Sequence, residues 1–231
     1  MVALSELRPS GSARSTVVSG GGVRIGTVEH LFAALGALGL HHGLTIEVQG
    51  DELPLLDGGA RRYMDALLTW RVEEPSPELL VARGGELLVG ESRYVFEEGA
   101  GRGVSVSVDF GDARLGLFAR WEGDAEDFRA RIAPARTFGF AREVGELLDR
   151  GLASHVSPES VVLISDTCIL HAGAPFQEDE PARHKLLDLV GDLYLWGGPP
   201  LGRVHACRPG HSATHEAVRR ALEEGLLARR L

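Results

Sequence analysis

Asparagine is absent from this sequence, and lysine occurs once, at Lys185, among 24 basic residues. Against so skewed a composition, each Lys or His that does occur is more informative than usual. Cysteine is scarce too. Cys168 and Cys207 stand without a CxxC spacing, which excludes a disulfide framework and a cysteine-based zinc site, and suits a reducing cytoplasm. No apolar run approaches the roughly 20 residues of a membrane span. The opening "MVALSELRPSGSARS" lacks the apolar centre of a signal peptide. Positive charge is also short: a net charge of −9 argues against a nucleic-acid or polyanion surface, while a local Arg cluster could still take a small phosphorylated ligand. What is present is ordinary for a globular protein, with 44% hydrophobic residues over 231, enough for one large domain or two modest ones.

Residues 1–22 show little apolar periodicity and end in "SGGG", which reads as a flexible or turn segment. "TVEHLFAALGALGL" reads as a helix, with Thr27 as N-cap, Leu31, Leu35 and Leu38 on one face, and Gly39 as its stop. "LTIEVQG" alternates as a half-buried strand over Leu44–Val48, and "DELPLLDGGA" is turn chemistry. "RRYMDALLTW" is a second amphipathic helix. The Pro-bearing "VEEPSPE" interrupts both patterns and marks a boundary between domains of residues 1–74 and 75–231. Strands follow in "ELLVG", "RYVFEEG" and "GVSVSVDFG", then "ARTFGF" and a helix over "AREVGELLDRG". "SVVLISD" and "CILHAG" read as a strand pair. A helix runs from near Pro181 to Gly197, and the strand "GRVHACR" and the helix "HEAVRRALEEGLLARR" close the chain. Each half mixes strands with helices, as two α+β domains would.

On the helix after Pro181, Leu186, Leu187, Leu189, Val190, Leu193, Tyr194 and Trp196 cover most of the circumference, so the helix is buried. His184, Asp188 and Asp192, stacked at i, i+4 and i+8, must then face something internal as well. Buried carboxylates are costly unless paired, hydrogen-bonded or bound to metal. Imidazole plus carboxylate one turn apart suits zinc, and an Asp188 that merely bonds a core arginine explains the stripe equally well. "TVEHL" sets Glu29 beside His30, pointing about 100° apart on a helix. One could ligate while the other addresses water, or Glu29 could simply be a first-turn acid. His211 and His215 follow a Pro-Gly turn and could as readily be surface residues of the last helix. His41, His42, His155, His171 and His205 have no comparable setting and read as structural or exposed.

"TVEHLFAALGALGLHHGLTIEVQGDELPLLDG", "ARTFGF" and "RHKLLDLVGDLYLWGGPPLGRVHACRPGH" resemble the UDP-3-O-acyl-N-acetylglucosamine deacetylase family of the lipid A pathway, in the family's order and over most of the chain from Thr27 to His211. The resemblance implies two α+β sandwich domains with the active site at their interface and one catalytic zinc (Zn2+). By motif position it implies His30, His184 and Asp188 as metal ligands, with water in the open fourth position. Glu29 would be the general base, and His211 a cation on the opposite side that protonates the leaving amine. Asp192 would orient His211, and Lys185 would stabilise developing negative charge. The implied substrate is a small nucleotide-linked acylated amino sugar that loses its N-acetyl group. An ammonium is compact where a guanidinium fork would crowd a metal, which gives the lone lysine a reason. The alternative is a non-catalytic zinc-containing paralogue with a binding or regulatory role, its metal closed by a fourth ligand such as His215 or Cys207.

Three departures from the family carry expectations of their own. The stretch of 26 residues before Thr27 is short for the family. A reduced first domain would leave a sheet edge open, so self-association or recruitment of a partner through residues 1–26 and Leu44–Val48 is expected. The family's oxyanion Thr, sought ahead of "ARTF", is missing, since no Thr lies between Thr69 and Thr137. The family's "GGS" turn reads "HVS" at His155–Ser157, and Ala153–Glu180 corresponds to its acyl-chain passage.

Overall fold

The computed structural model describes residues 2–11, 14–70, 78–143 and 157–230. The chain is α+β. Its first sheet is three-stranded, with β1 (Arg8–Gly11), β2 (Thr16–Gly20) and β3 (Val23–Ile25) antiparallel in that order. This sheet corrects the expectation of a flexible or turn segment. β2 buries Thr16, Val17 and Val18 in succession, so both of its faces are covered and no alternation shows in the sequence. The "SGGG" stretch is a hairpin turn, in which Gly21 and Gly22 supply φ of 56° and 82°.

Helix α1 (Glu29–Leu38) follows and ends at Gly39, whose left-handed φ of 68° turns its N–H back onto the Leu35 and Gly36 carbonyls. Thr27 is not its side-chain cap. The Thr27 hydroxyl donates to Oε1 of Glu52 at 2.5 Å instead, from a backbone at φ 54° that a β-branched residue rarely adopts. Leu44–Val48 is likewise not a strand. Leu44 and Val48 pack inward, but no strand among the described residues pairs with them, and the bridge in this region joins Gly26 to Glu52. The open strand edge expected there therefore does not exist.

Helix α2 (Arg61–Leu67) precedes the inferred domain boundary, most of which lies outside the described residues, as does most of the helix expected over "AREVGELLDRG". The large sheet then assembles from β4 (Glu78–Val81), β5 (Gly85–Val89), β6 (Ser92–Ser107), β7 (Phe118–Trp121), β11 (Leu201–Cys207) and β12 (Leu227–Arg230). β6 is long enough to bend around β11, so that Val204 faces both Phe96 and Val104. A separate sheet holds β8 (Thr137–Phe140), β9 (Val161–Ile164) and β10 (Ile169–Leu170), with β9 and β10 the expected antiparallel pair.

Helix α3 (Glu180–Tyr194) begins with Pro181 in its first turn, where a missing N–H costs nothing. It ends three residues short of the expected Gly197. Helix α4 (His211–Glu223) starts one turn earlier than its apolar pattern suggested, and stops before Gly225, whose φ of 70° releases "LARR" into β12 against β4. The main core lies between the large sheet and α3, with Trp121, Phe128, Tyr94 and Leu187 fully buried. A second core joins β2, α1 and Leu53. Helices α1 and α3 meet at Gly191, where an added Cβ would lie 2.1 Å from the Glu29 carbonyl oxygen. That contact sets the site.

Candidate active site

The close approach at Gly191 puts the first turn of α1 against the middle of α3, which brings His30 to His184 and Asp188. One ligand atom from each lies within 4.8 Å of the others, and all three residues are buried. The two rings meet edge to face at 5.2 Å. Nδ1 of His184 donates to the Ala135 carbonyl at 3.0 Å, which leaves Nε2 with a free lone pair, 3.5 Å from Oδ1 of Asp188. Among the described residues, the buried Nδ1 of His30 has no hydrogen-bond partner. Burial, reinforced by His184, lowers the His30 pKa to about 3, and burial lowers that of His184 as well, so both imidazoles are neutral. Burial works against charge on Asp188, yet His184, Lys185 and His211 outweigh it and hold the carboxyl well below the usual carboxylate range. Two neutral imidazoles and an ionised carboxylate, buried and convergent, form a donor set that fits zinc.

The remaining expected residues stand around this cluster. Lys185 reaches Oδ2 of Asp188 at 3.0 Å; burial opposes its charge, but Asp188 raises its pKa above the ordinary value. Glu29, 3% exposed, accepts the backbone N–H of Thr16 at 2.9 Å, and burial lifts its pKa to about 7 despite the nearby His211. Nδ1 of His211 donates to both oxygens of Asp192 at 3.0 and 3.1 Å, while its Nε2 lies 3.9 Å from Oδ2 of Asp188. Burial disfavours a charged His211, but Asp192 overrides it and raises the pKa to about 9. A carboxyl that titrates near neutrality and an imidazole held charged thus accompany the donor set.

All of these groups except Asp192 line a cavity of about 970 Å³. Apolar lining comes from Phe110, Phe138, Phe140, Leu163 and Leu170, and polar lining from Arg14, Thr27, Glu52 and Glu143. Pro158, Val161 and His171 also line it, with His171 exposed as its sequence setting suggested. Thr137 lines the cavity beside Phe138, a Thr–Phe pair that stands within "ARTF" itself. His215 is buried one turn beyond His211 and belongs to the Asp192 network, not to the three-residue donor set. Cys207 sits instead with His205, Ser105 and Ser107. Sequence reasoning missed Thr16 altogether. Its hydroxyl meets Asp192 across 176 positions, and nothing local marks it out.

An α+β fold that brings a buried His–His–Asp donor set, a carboxylate and a charged imidazole to one cavity has the groups that hydrolytic chemistry uses. The comparisons narrow that class. The chain belongs to the UDP-3-O-acyl N-acetylglycosamine deacetylase family, whose profile matches residues 5–223. Among its relatives is a UDP-3-O-acyl-N-acetylglucosamine deacetylase of Myxococcus xanthus, 34% identical over 227 residues that cover 91% of this chain and 68% of the relative. Proteins of the same name from Syntrophotalea carbinolica and Brucella ovis are each 37% identical, covering 90% and 87% of this chain and 68% and 72% of the relatives. Among the described residues no helix is long and apolar enough to cross a membrane.

Proposed function

We propose that this protein is a zinc-dependent deacetylase that hydrolyses the N-acetyl group of a UDP-linked 3-O-acyl-glucosamine or a related acylated amino sugar, in the cytoplasm. The observation that carries this reading is the convergence of His30, His184 and Asp188 on a large cavity that Glu29 and His211 also line. His30, His184 and Asp188 would hold the zinc, which would supply Lewis-acid chemistry at the amide carbonyl and a more acidic water. Glu29 takes the proton from the attacking water, as a buried carboxylate with a pKa of about 7 can do near neutral pH. The Lys185 ammonium and the Thr137 hydroxyl, both on the cavity wall, are placed to stabilise charge that develops on the carbonyl oxygen. His211, kept protonated by Asp192, passes a proton from Nε2 to the departing nitrogen, so the products are acetate and the free amine. The apolar lining residues Phe110, Phe138, Phe140, Leu163 and Leu170 suit an acyl chain.

The site would lie in the seam between a unit of residues 1–74, which brings Glu29 and His30, and one of residues 75–231, which brings the rest. A non-catalytic paralogue would call for a fourth protein ligand. His215 and Cys207, its candidates, have other partners. The test is metal analysis of the purified protein together with acetate release from UDP-3-O-acyl-N-acetylglucosamine. Stoichiometric zinc with turnover is expected, and His184→Ala should lose both. Zinc retained by His184→Ala, or no acetate from zinc-loaded protein, would refute the proposal.

A further inference from the structure

Thr16 stands where the two halves of the proposed machinery meet. Its backbone N–H donates to Oε2 of Glu29 at 2.9 Å. Its hydroxyl oxygen lies 2.5 Å from Oδ1 of Asp192, 3.2 Å from Nδ1 of His211 and 3.2 Å from Nε2 of His215. The residue is wholly buried in β2, so no water competes for these contacts.

Placing the protons gives the network a direction. The indole Nε1–H of Trp196 can only donate, so Nδ1 of His215, 3.1 Å away, must accept. A histidine that accepts at Nδ1 carries its hydrogen on Nε2, and that N–H donates to the Thr16 hydroxyl oxygen. Asp192, as a carboxylate, can only accept, so the Thr16 O–H points to it. Nδ1–H of His211 donates to the same carboxylate. The chain of donors runs from Trp196 through His215 and Thr16 to Asp192, which is thereby held square to His211. Nε2 of His211 is left facing the cavity.

We infer that Thr16 is a positioning residue for the hydrolysis: its hydroxyl, backed by His215 and Trp196, fixes Asp192 and hence His211, while its amide fixes Glu29. This rests on the assignment of Asp192 and His211 as the acid side of the reaction. Because one residue of β2 carries both contacts, base and acid cannot shift independently. A purely structural Thr16 would instead only satisfy buried polar groups, and its loss would be felt in stability alone.

Side-chain variants separate the two roles, since they leave the amide donor to Glu29 in place. Thr16→Val keeps the shape and removes the hydroxyl; Thr16→Ser keeps the hydroxyl. Measured as acetate release by zinc-loaded enzyme, Thr16→Val should lower kcat about 10–100-fold, the scale set by loss of an outer-shell partner. KM and zinc content should stay unchanged, and Thr16→Ser should recover most of the rate. In an Asp192→Asn background Thr16→Val should cost nothing further, because both act through one contact. Thr16→Ala carries the same expectation should the valine variant not fold. Normal kcat in Thr16→Val or Thr16→Ala while Asp192→Asn is impaired overturns this inference alone, as does an undiminished effect in the Asp192→Asn background. Normal kcat in both Asp192→Asn and His211→Ala overturns the acid assignment and this inference with it.

Discussion

Gly191→Ala tests whether the contact between α1 and α3 builds the site. A Cβ at this position would sit 2.1 Å from the carbonyl oxygen of Glu29, 2.9 Å from its carbonyl carbon and 3.0 Å from its Cα. All three are backbone atoms, so no side chain can swing away. Helix α1 would have to retreat by roughly 1 Å to restore van der Waals contact. The retreat carries Glu29 and His30 away from His184 and Asp188, which stay on α3. A misplacement of that size typically costs about 100-fold in rate, and overpacking a close helix contact about 1–3 kcal/mol in stability. Gly36→Ala is the matched control. It lies on α1 at the same interface, but its Cβ would meet Pro199, Tyr194 and Val190 at 3.6 Å, an ordinary contact. It should be neutral or stabilising by up to about 1 kcal/mol, since alanine favours a helix over glycine. Zinc content, thermal unfolding and acetate release are to be measured for both. Wild-type zinc content and rate in Gly191→Ala would refute the argument that this approach sets the site.

Glu29→Gln and His211→Ala should each keep zinc and lose about 10²–10⁴-fold in rate, the usual scale of general acid–base steps; normal turnover by both would refute their roles. The rate should rise with pH as Glu29 ionises and fall as His211 deprotonates, with pKa values of about 7 and about 9 in the metal-free protein. A bound divalent cation favours the Glu29 anion and disfavours the His211 cation, so both limbs should sit at lower pH than those values, and a flat profile would refute the pair. Self-association remains an expectation for the first sheet, whose β1 and β3 are edge strands, and light scattering over a dilution series should show dimers; a monodisperse monomer at micromolar concentration would refute it.

Much of the fold was legible because its long elements are locally consistent. α1 announces its stop at Gly39, α3 its start at Pro181, and the alternation of β11 is clean. What the sequence hid was decided by partners far along the chain. β1, β2 and β3 lack a period because β2 is covered on both faces. Leu44–Val48 has the right alternation and nothing to pair with. The end of the chain reads as helix until Gly225 breaks it and β4 offers an edge. The site divides in the same way. The i, i+4, i+8 stripe and the Glu–His pair are periodic signals, whereas Thr16 reaches Asp192 only through the tertiary fold. His215 did carry a signal, four residues after His211 on the same helical face.

Lys185 is the most informative single residue in that sense, because composition and geometry point to it independently. Oδ1 of Asp188 faces His184, and Oδ2 faces Lys185 at 3.0 Å and His211 at 3.9 Å. One compact ammonium therefore neutralises one oxygen and leaves the other toward the donor set. An arginine here could grip both oxygens with its planar fork and withdraw Asp188 from a metal. Lys185→Arg preserves charge, so a role limited to charge would leave it unaffected. We expect it to weaken zinc binding by about 10–100-fold, as judged by competition with a chelator, and to slow acetate release with it. Lys185→Met, which frees Asp188 but removes the charge, should keep the metal and lose rate alone. If Lys185→Arg holds zinc and turns over as the wild type does, the lone lysine among so many arginines has no chemical cause in this site.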